Sequence, residues 1–170
     1  GTVRHVAVDK TGTLTRNEPT VARVATIAGA TKDEVLVWAA SLEGHSTHPL
    51  ATAITNAVPD APTAEAVSET AGHGIAGTLD GARIAVGSPR WLDAGSLADQ
   101  VQTMESEGMT VVIVHRNDHP VGAIGVRDEL RPEVPEVIAT LTRHGIAVTM
   151  LTGDNARTAA ALATQAGISD

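Results

Sequence analysis

Apolar positions recur along this chain in two rhythms. Alternating or near-continuous apolar runs lie at residues 3–8, 20–27, 65–70, 110–115, 120–126 and 146–151, and a further pair flanks Asp80-Gly81. Such runs predict strands, and the Asp80-Gly81 turn predicts a hairpin. Helical spacing predicts five helices. The first starts at Thr31, where Glu34 completes a capping box, and turns Val35, Trp38, Ala39 and Leu42 inward to end near Gly44. Pro49 suits the first position of the next, with Leu50, Ala53, Ile54 and Ala57 as its stripe. A third begins near Ser96 and buries Leu97, Val101 and Met104. A fourth, residues 133–144, directs Val134, Val137, Ile138 and Leu141 inward; the fifth, 156–166, stops at Gly167.

The order is informative. The flanks, residues 1–19 and 123–170, read together as one α/β unit, a strand and loop in the first and helix, strand, loop and helix in the last. The middle, residues 20–122, reads as an inserted antiparallel sheet with helices, joined through hinges near Pro19 and residues 122–128. The apolar run 146–151 is fit for a buried parallel strand.

Candidate chemistry sits at the strand tips. The first strand ends in Asp9-Lys10-Thr11-Gly12-Thr13-Leu14-Thr15. Ligands of open α/β sheets lie beyond the carboxyl ends of strands, so Asp9 is placed to attack an electrophile. The hydroxyls of Thr11, Thr13 and Thr15 can donate to oxyanions. Two residues after the aspartate stands Thr11, which cannot act as a base near neutral pH. A phosphoryl group on Asp9 should therefore persist, which favours a phosphoenzyme over a simple phosphatase. The last strand ends in Thr152-Gly153-Asp154-Asn155, a second tip with a hydroxyl and a carboxylate that should converge on the same ligand.

Two further segments stand out in the middle. His48 precedes Pro49 at a helix start, with its ring free to face a ligand; His45 and His48 fit an ordinary turn as well. Metal ligation by the pair lacks a supporting carboxylate or cysteine cluster. Residues 72–77 match G-x-G-x-x-G, yet run into a hairpin rather than a helix, so they fail the context of a dinucleotide fingerprint. Their expected use is close approach of backbone to a bound group. His115 and His119 read as surface residues.

Composition narrows the classes. The net charge of −8 argues against nucleic acid as a partner. Cysteine is absent, so disulfides and thiolate metal sites are excluded. With no Phe or Tyr, and only Trp38 and Trp91, the core must be built from Val, Ala, Leu and Ile. No apolar stretch reaches the roughly 18 residues that span a bilayer.

Asp9 to Thr15 resembles the phosphorylation motif of the P-type ATPases, ion pumps with a haloacid-dehalogenase-like phosphorylation domain. Ser46-Thr47-His48-Pro49-Leu50, preceded by Glu43, resembles the histidine-proline motif of the heavy-metal-transporting members, and residues 72–77 resemble their glycine loop. The resemblance implies an α/β fold: a partial haloacid-dehalogenase-like phosphorylation domain at 1–19 and 123–170, with an inserted α+β nucleotide-binding domain at 20–122. It implies that Glu43, His48, Gly72, Gly74 and Ile75 surround the adenine of ATP. Gly77, Ser88, Asp128, Gly153 and Asp154 complete the nucleotide-binding set. Ser88 stands where these pumps carry a longer asparagine, and Asp128 opens their hinge segment. Asp9 would accept the phosphoryl group and bind Mg2+ with Thr11, while Lys10 and Thr152 stabilise the transferred oxygens.

The family's later lysine and Gly-Asp-Gly motif would lie beyond Asp170. The chain is thus expected to be a piece of a pump, at the cytoplasmic face of the cell membrane, with transmembrane and actuator domains as partners and its flanking sheet short of strands. The alternative is a soluble phosphatase of the same superfamily with a cap domain, which predicts a carboxylate where Thr11 stands.

Overall fold

The computed structural model describes residues 1–169. Two sheets form. Strands β1 (His5–Asp9) and β8 (Ala147–Leu151) pair in parallel, from His5 opposite Ala147 to Asp9 opposite Leu151. Between them lie β2 (Thr20–Thr26), α1 (Lys32–Glu43), α2 (Pro49–Ala57), β3 (Glu65–Thr70), β4 (Gly74–Leu79), β5 (Ala82–Gly87), α3 (Ala98–Ser106), β6 (Thr110–Arg116), β7 (His119–Arg127) and α4 (Val134–Arg143). Helix α5 (Ala156–Ala166) follows β8.

The inserted sheet is antiparallel, in the order β2-β7-β6-β5-β4-β3. Both of its tight hairpins close with two left-handed residues, Asp80 and Gly81 in one, Asn117 and Asp118 in the other. That backbone matches strand twist and suits Asn, Asp and Gly. Helices α1 and α2 cover one face, burying Val35, Leu42 and Ile54 against Ile84, Val114 and Ile124. Helix α3 covers the other, packing Leu97, Val101 and Met104 on Met109, Ile113 and Ala123. Burial on both faces explains why β6 and β7 are almost continuously apolar. At Gly122 an added Cβ would lie 2.5 Å from Val35 Cγ1, so α1 sits against bare backbone there. The capping box forms: Glu34 N donates to Thr31 Oγ1 at 3.1 Å, and Thr31 N to Glu34 Oε1 at 3.0 Å.

The flanking unit has its own core of Leu14, Val134, Ile138, Val148, Ala163 and Ala166. Helices α4 and α5 supply the apolar cover of β1 and β8. The other face is open, so β8 is not the buried strand its composition suggests, and Leu151 is 52% exposed. Val137 is 50% exposed rather than inward: the inner stripe of α4 is Val134, Ile138 and Leu141, and Val137 falls outside it.

The antiparallel sheet runs past residue 122: strand β7, flanked by β2 and β6, stays paired to Arg127, opposite Thr20, with Val121, Ile124 and Val126 buried on one face and Ala123 on the other. One other expectation is corrected. His115 is not a surface residue; it is buried, and its Nε2 bonds the Asp93 carbonyl at 2.7 Å.

The chain crosses between the two units twice, and the crossings are tied together. Thr15, fully buried, donates to Asp128 Oδ2 at 2.6 Å and accepts from Gly12 N at 3.2 Å. Asp128 Oδ1 accepts from Glu18 N at 3.0 Å, and Arg131 N donates to the Leu14 carbonyl at 2.8 Å. A hydroxyl-to-carboxylate bond is worth about 1.5–3 kcal/mol, and losing it leaves a charge under-solvated. Urea denaturation should therefore find Thr15→Val less stable by about 2 kcal/mol, whereas Thr13→Val, on an exposed side chain, should stay within about 0.5 kcal/mol of wild type.

Candidate functional site

The parallel register of β1 and β8 brings Asp9 level with Leu151, so the two carboxyl-terminal tips lie side by side. After Asp9 the chain makes a wide turn, closed by Thr15 N on the Lys10 carbonyl at 3.1 Å. Gly12 holds φ +77° in that turn, a left-handed position that a side chain would strain. Asp9 and Thr11 are exposed on it. No hydrogen bond engages the Asp9 carboxylate among the described residues.

The neighbouring lysine is differently placed. Lys10 is buried, and its Nζ meets Asp154 Oδ2 at 2.8 Å. Asp154 is held in turn: its N–H donates to Thr152 Oγ1 at 3.0 Å, and its Oδ1 accepts from Thr110 at 3.3 Å. The second tip is thereby locked to the first by an ion pair. Thr110 opens β6, so the inserted unit also reaches this pair.

Three other contacts dock the inserted unit on α5. Thr158, fully buried, donates to the Met109 carbonyl at 2.8 Å; Gln165 donates to the Glu107 carbonyl at 3.3 Å; Arg157 lies 3.6 Å from Glu105. The result is a cleft of about 540 Å³ that runs from Lys10, Thr11, Thr152, Gly153 and Asp154 to Glu43, His48, Gly72, Gly74, Ile75 and Ser88. That size suits a nucleotide-sized ligand.

At the far end, His48 caps α2. Its Nδ1 accepts from Leu50 N at 3.2 Å, which in the neutral ring puts the proton on Nε2 and makes that atom a donor. Pro49 fixes the first helical residue. Glu43, the last residue of α1, is buried, and burial first, then the charge of Glu69, push its carboxyl up to about 7.

Gly72 holds φ +75° with open space where a side chain would be, as a loop approaching a ligand requires. Gly74 is a glycine for a different reason. An added Cβ there would lie 2.6 Å from the Trp91 ring and closer still to the Val86 carbonyl oxygen. Trp91, in edge contact with His73, thus occupies space that the sequence reading reserved for a ligand.

Gly77 lies outside the cleft. Its missing side chain makes room for Leu42 and Val67 beneath α1. Asp128 lines the cleft, but Thr15 and Glu18 engage both of its oxygens. The Ser88 backbone closes the turn onto His73 and Trp91, and its hydroxyl makes no hydrogen bond among the described residues. Sequence reasoning missed Glu69, Thr110 and Trp91. Thr110 gave no signal, being one polar residue at a strand start.

No cluster of three or more His, Cys, Asp or Glu residues able to hold a metal occurs among the described residues. The donors near Asp9 fit magnesium in a narrower way. Mg2+ commonly takes one or two carboxylates and completes its shell with water and substrate phosphate. Asp9, whose carboxylate makes no hydrogen bond among the described residues, leaves its oxygens open to such an ion. No helix among the described residues is long and apolar enough to cross a membrane.

A family model described as haloacid dehalogenase-like hydrolase matches residues 3–170. The chain is 55% identical, over 168 residues, to the protein named "Probable cation-transporting ATPase G" of Mycobacterium tuberculosis, covering 99% of this chain and 22% of that protein. It is 38% identical over 172 residues to the zinc/cadmium/lead-transporting P-type ATPase of Escherichia coli, covering 99% of this chain and 24% of that one. The crystal structure of a zinc-transporting PIB-type ATPase in its E2.Pi state superposes with a TM-score of 0.77 at 38% identity, over 99% of this chain and 28% of that chain. The chain spans roughly a quarter or less of the curated relatives just named. The chain belongs to the haloacid dehalogenase-like hydrolases, and it is similar, over nearly its whole length, to part of P-type ATPases named for cation or heavy-metal transport.

Proposed function

We propose that this chain is the ATP-binding and phosphoryl-accepting part of a membrane pump for a heavy-metal cation. One observation carries the reading: the strand tip that bears the free carboxylate Asp9, followed by Thr11 rather than a second carboxylate, opens through Lys10 and Thr11 onto the cleft that reaches the histidine–glycine end. The division of labour follows the sheets. Residues 20–127 hold the nucleotide and residues 1–19 with 128–169 hold the phosphoryl site.

Adenine lies between His48, Glu43 and the loop at Gly72, with the Nε2 proton of His48 as donor. The triphosphate extends toward the strand tips. An oxygen of Asp9 attacks the γ-phosphorus in line, the bond to the β–γ bridging oxygen breaks, and ADP leaves with that oxygen. Asp9 and Thr11 would hold Mg2+, which when bound supplies positive charge against the phosphate oxygens. Lys10 supplies positive charge from beneath the turn, oriented by Asp154. Thr152, at the second tip, donates to an equatorial oxygen. The acyl phosphate then drives metal movement in the complete pump, whose transmembrane and actuator domains are the partners of this piece. The reading places the chain at the cytoplasmic face.

A soluble phosphatase with a cap domain is the rival. It is disfavoured because Thr11 lacks the acid–base group that would speed acyl-phosphate hydrolysis. In the full-length protein, acid-stable labelling from γ-labelled ATP should vanish in Asp9→Asn, and Thr11→Asp should shorten the lifetime of the label by about tenfold or more. Retained labelling in Asp9→Asn overturns the assignment.

Calorimetry on the 170-residue chain should find ATP bound at least about tenfold more weakly by His48→Ala, the loss of one well-placed hydrogen bond and its packing. An unchanged isotherm removes His48 from the site.

The Glu43 carboxyl links pH to stability. Its folded-state value is raised from 4.5 to about 7, so the folded chain binds the proton more tightly than the unfolded one. Its contribution is complete below 4.5 and is lost as pH rises through 7. Denaturation curves should show Glu43→Gln more stable than wild type by about 2 kcal/mol at pH 8, a figure reduced for residual solvent contact, with the gap closing toward pH 5.

A further inference from the structure

The turn from α3 into β6 seats the inserted unit on α5. Met109 gives its carbonyl to the buried Thr158 hydroxyl, and Glu107 gives its own to Gln165. Between them Gly108 holds φ +88°, and an added Cβ there would lie 3.2 Å from Gln165 Nε2, so the turn runs close against the helix. The next residue, Thr110, pairs with Val126 of β7, two positions before Asp128 of the connector. Its hydroxyl is therefore fixed relative to the seat, and it donates to Asp154 Oδ1 at 3.3 Å.

Everything else on Asp154 faces the phosphoryl end. Its Oδ2 holds Lys10 Nζ at 2.8 Å, and its N–H donates to Thr152 Oγ1 at 3.0 Å. The last torsion of an aspartate is soft, so one partner leaves the carboxylate free to rotate. A second donor on the other oxygen fixes the plane of the group, and with it the line along which Lys10 is held.

From this arrangement we propose that Thr110 is a positioning residue for phosphoryl transfer: seated with its turn on α5, it fixes the Asp154 carboxylate and, through it, the Lys10 ammonium next to Asp9. The proposal rests on the phosphoryl-accepting reading above. It ties the chemistry to the seating of the inserted unit, because the charge under the phosphoryl site is aimed only while that unit rests on α5. Misplacing a group at a reacting centre by about 1 Å can cost up to about a hundredfold in rate.

Thr110 lines the cleft, so direct contact with the ligand is a competing role, and plain packing at a strand start is another. The three roles move different quantities. A ligand contact sets affinity, whereas a group that aims Lys10 sets the rate at saturation. Packing depends on the branched shape, which valine keeps and serine loses; the link to Asp154 depends on the hydroxyl, which serine keeps and valine loses.

The test is rapid-quench labelling of the full-length protein with γ-labelled ATP over a range of ATP concentrations. Rate constants are compared rather than amounts of label, so a partly unfolded sample does not imitate the effect. Thr110→Val, and Thr110→Ala as a second hydroxyl-free variant, should slow acid-stable labelling at saturating ATP by about tenfold. The half-saturating ATP concentration should stay within about twofold of wild type, and Thr110→Ser should label at close to the wild-type rate. Thr158→Val, which loosens the seat, should also slow labelling, and combining it with Thr110→Val should add little.

An unchanged rate in Thr110→Val overturns the proposal. So does a Thr110→Ser variant as slow as Thr110→Val, which assigns the residue to packing. Weaker ATP binding at an unchanged saturating rate makes Thr110 a ligand contact and likewise overturns it. Fully independent effects of the Thr110 and Thr158 variants break the link to the seat. If wild type takes no label from ATP, the phosphoryl-accepting reading fails and this proposal with it; label that forms equally fast in wild type and every Thr110 variant marks the failure of Thr110 alone.

Discussion

The structure turns on the carboxylate of Asp154. One of its oxygens holds Lys10 from the first strand tip, and the other accepts from Thr110 of the inserted sheet. Its own N–H is braced by Thr152. Three pieces of chain, far apart in sequence, are thus registered at one anionic point. The ion pair is largely withdrawn from solvent, so its geometry matters more than that of a surface pair. Without Asp154, Lys10 would be a buried cation lacking a partner. With it, positive charge is stored under the turn beside a carboxylate, Asp9, that makes no hydrogen bond among the described residues.

If the nucleotide reading proposed above holds, an acidic chain must accept a polyanion. The molecule carries a net charge of −8, and the cleft itself is lined by several carboxylates. Long-range attraction is therefore no help. Under that proposal the favourable terms would be local: the Nε2 proton of His48, backbone N–H groups, and a cation shared between protein and phosphate. The two lysines of the chain are spent sparingly, and one of them is committed to the site.

Much of this was legible before any coordinates. The element order, the capping box at Thr31, the turn at Asp80-Gly81 and the two strand tips follow from local pattern and turn chemistry. What escaped depended on tertiary neighbours. The openness of β8 reflects how few elements flank it, which an apolar pentapeptide cannot announce. Val137 lies one position off a stripe that periodicity alone left too wide. His115 looked like a hairpin histidine, and only the path of the loop at Asp93 buries it. The glycine run carries two kinds of demand. Gly74 and Gly77 yield space to Trp91 and Leu42, a packing need that spacing did not disclose, while Gly72 keeps the open, left-handed geometry that a binding loop would have. Glu69 could not be found from spacing, because its partners arrive from α1 and the loop before α2.

The paired crossings between the two units carry a mechanical consequence. Thr15, Asp128, Glu18 and Arg131 fasten one connector to the other along their length. Two loose threads would let the inserted sheet swivel in any direction. Two threads zipped side by side resist twisting and leave one easy bending axis. Relative motion of the halves is then reduced to the swing of a door leaf, and a single angle describes how wide the cleft stands.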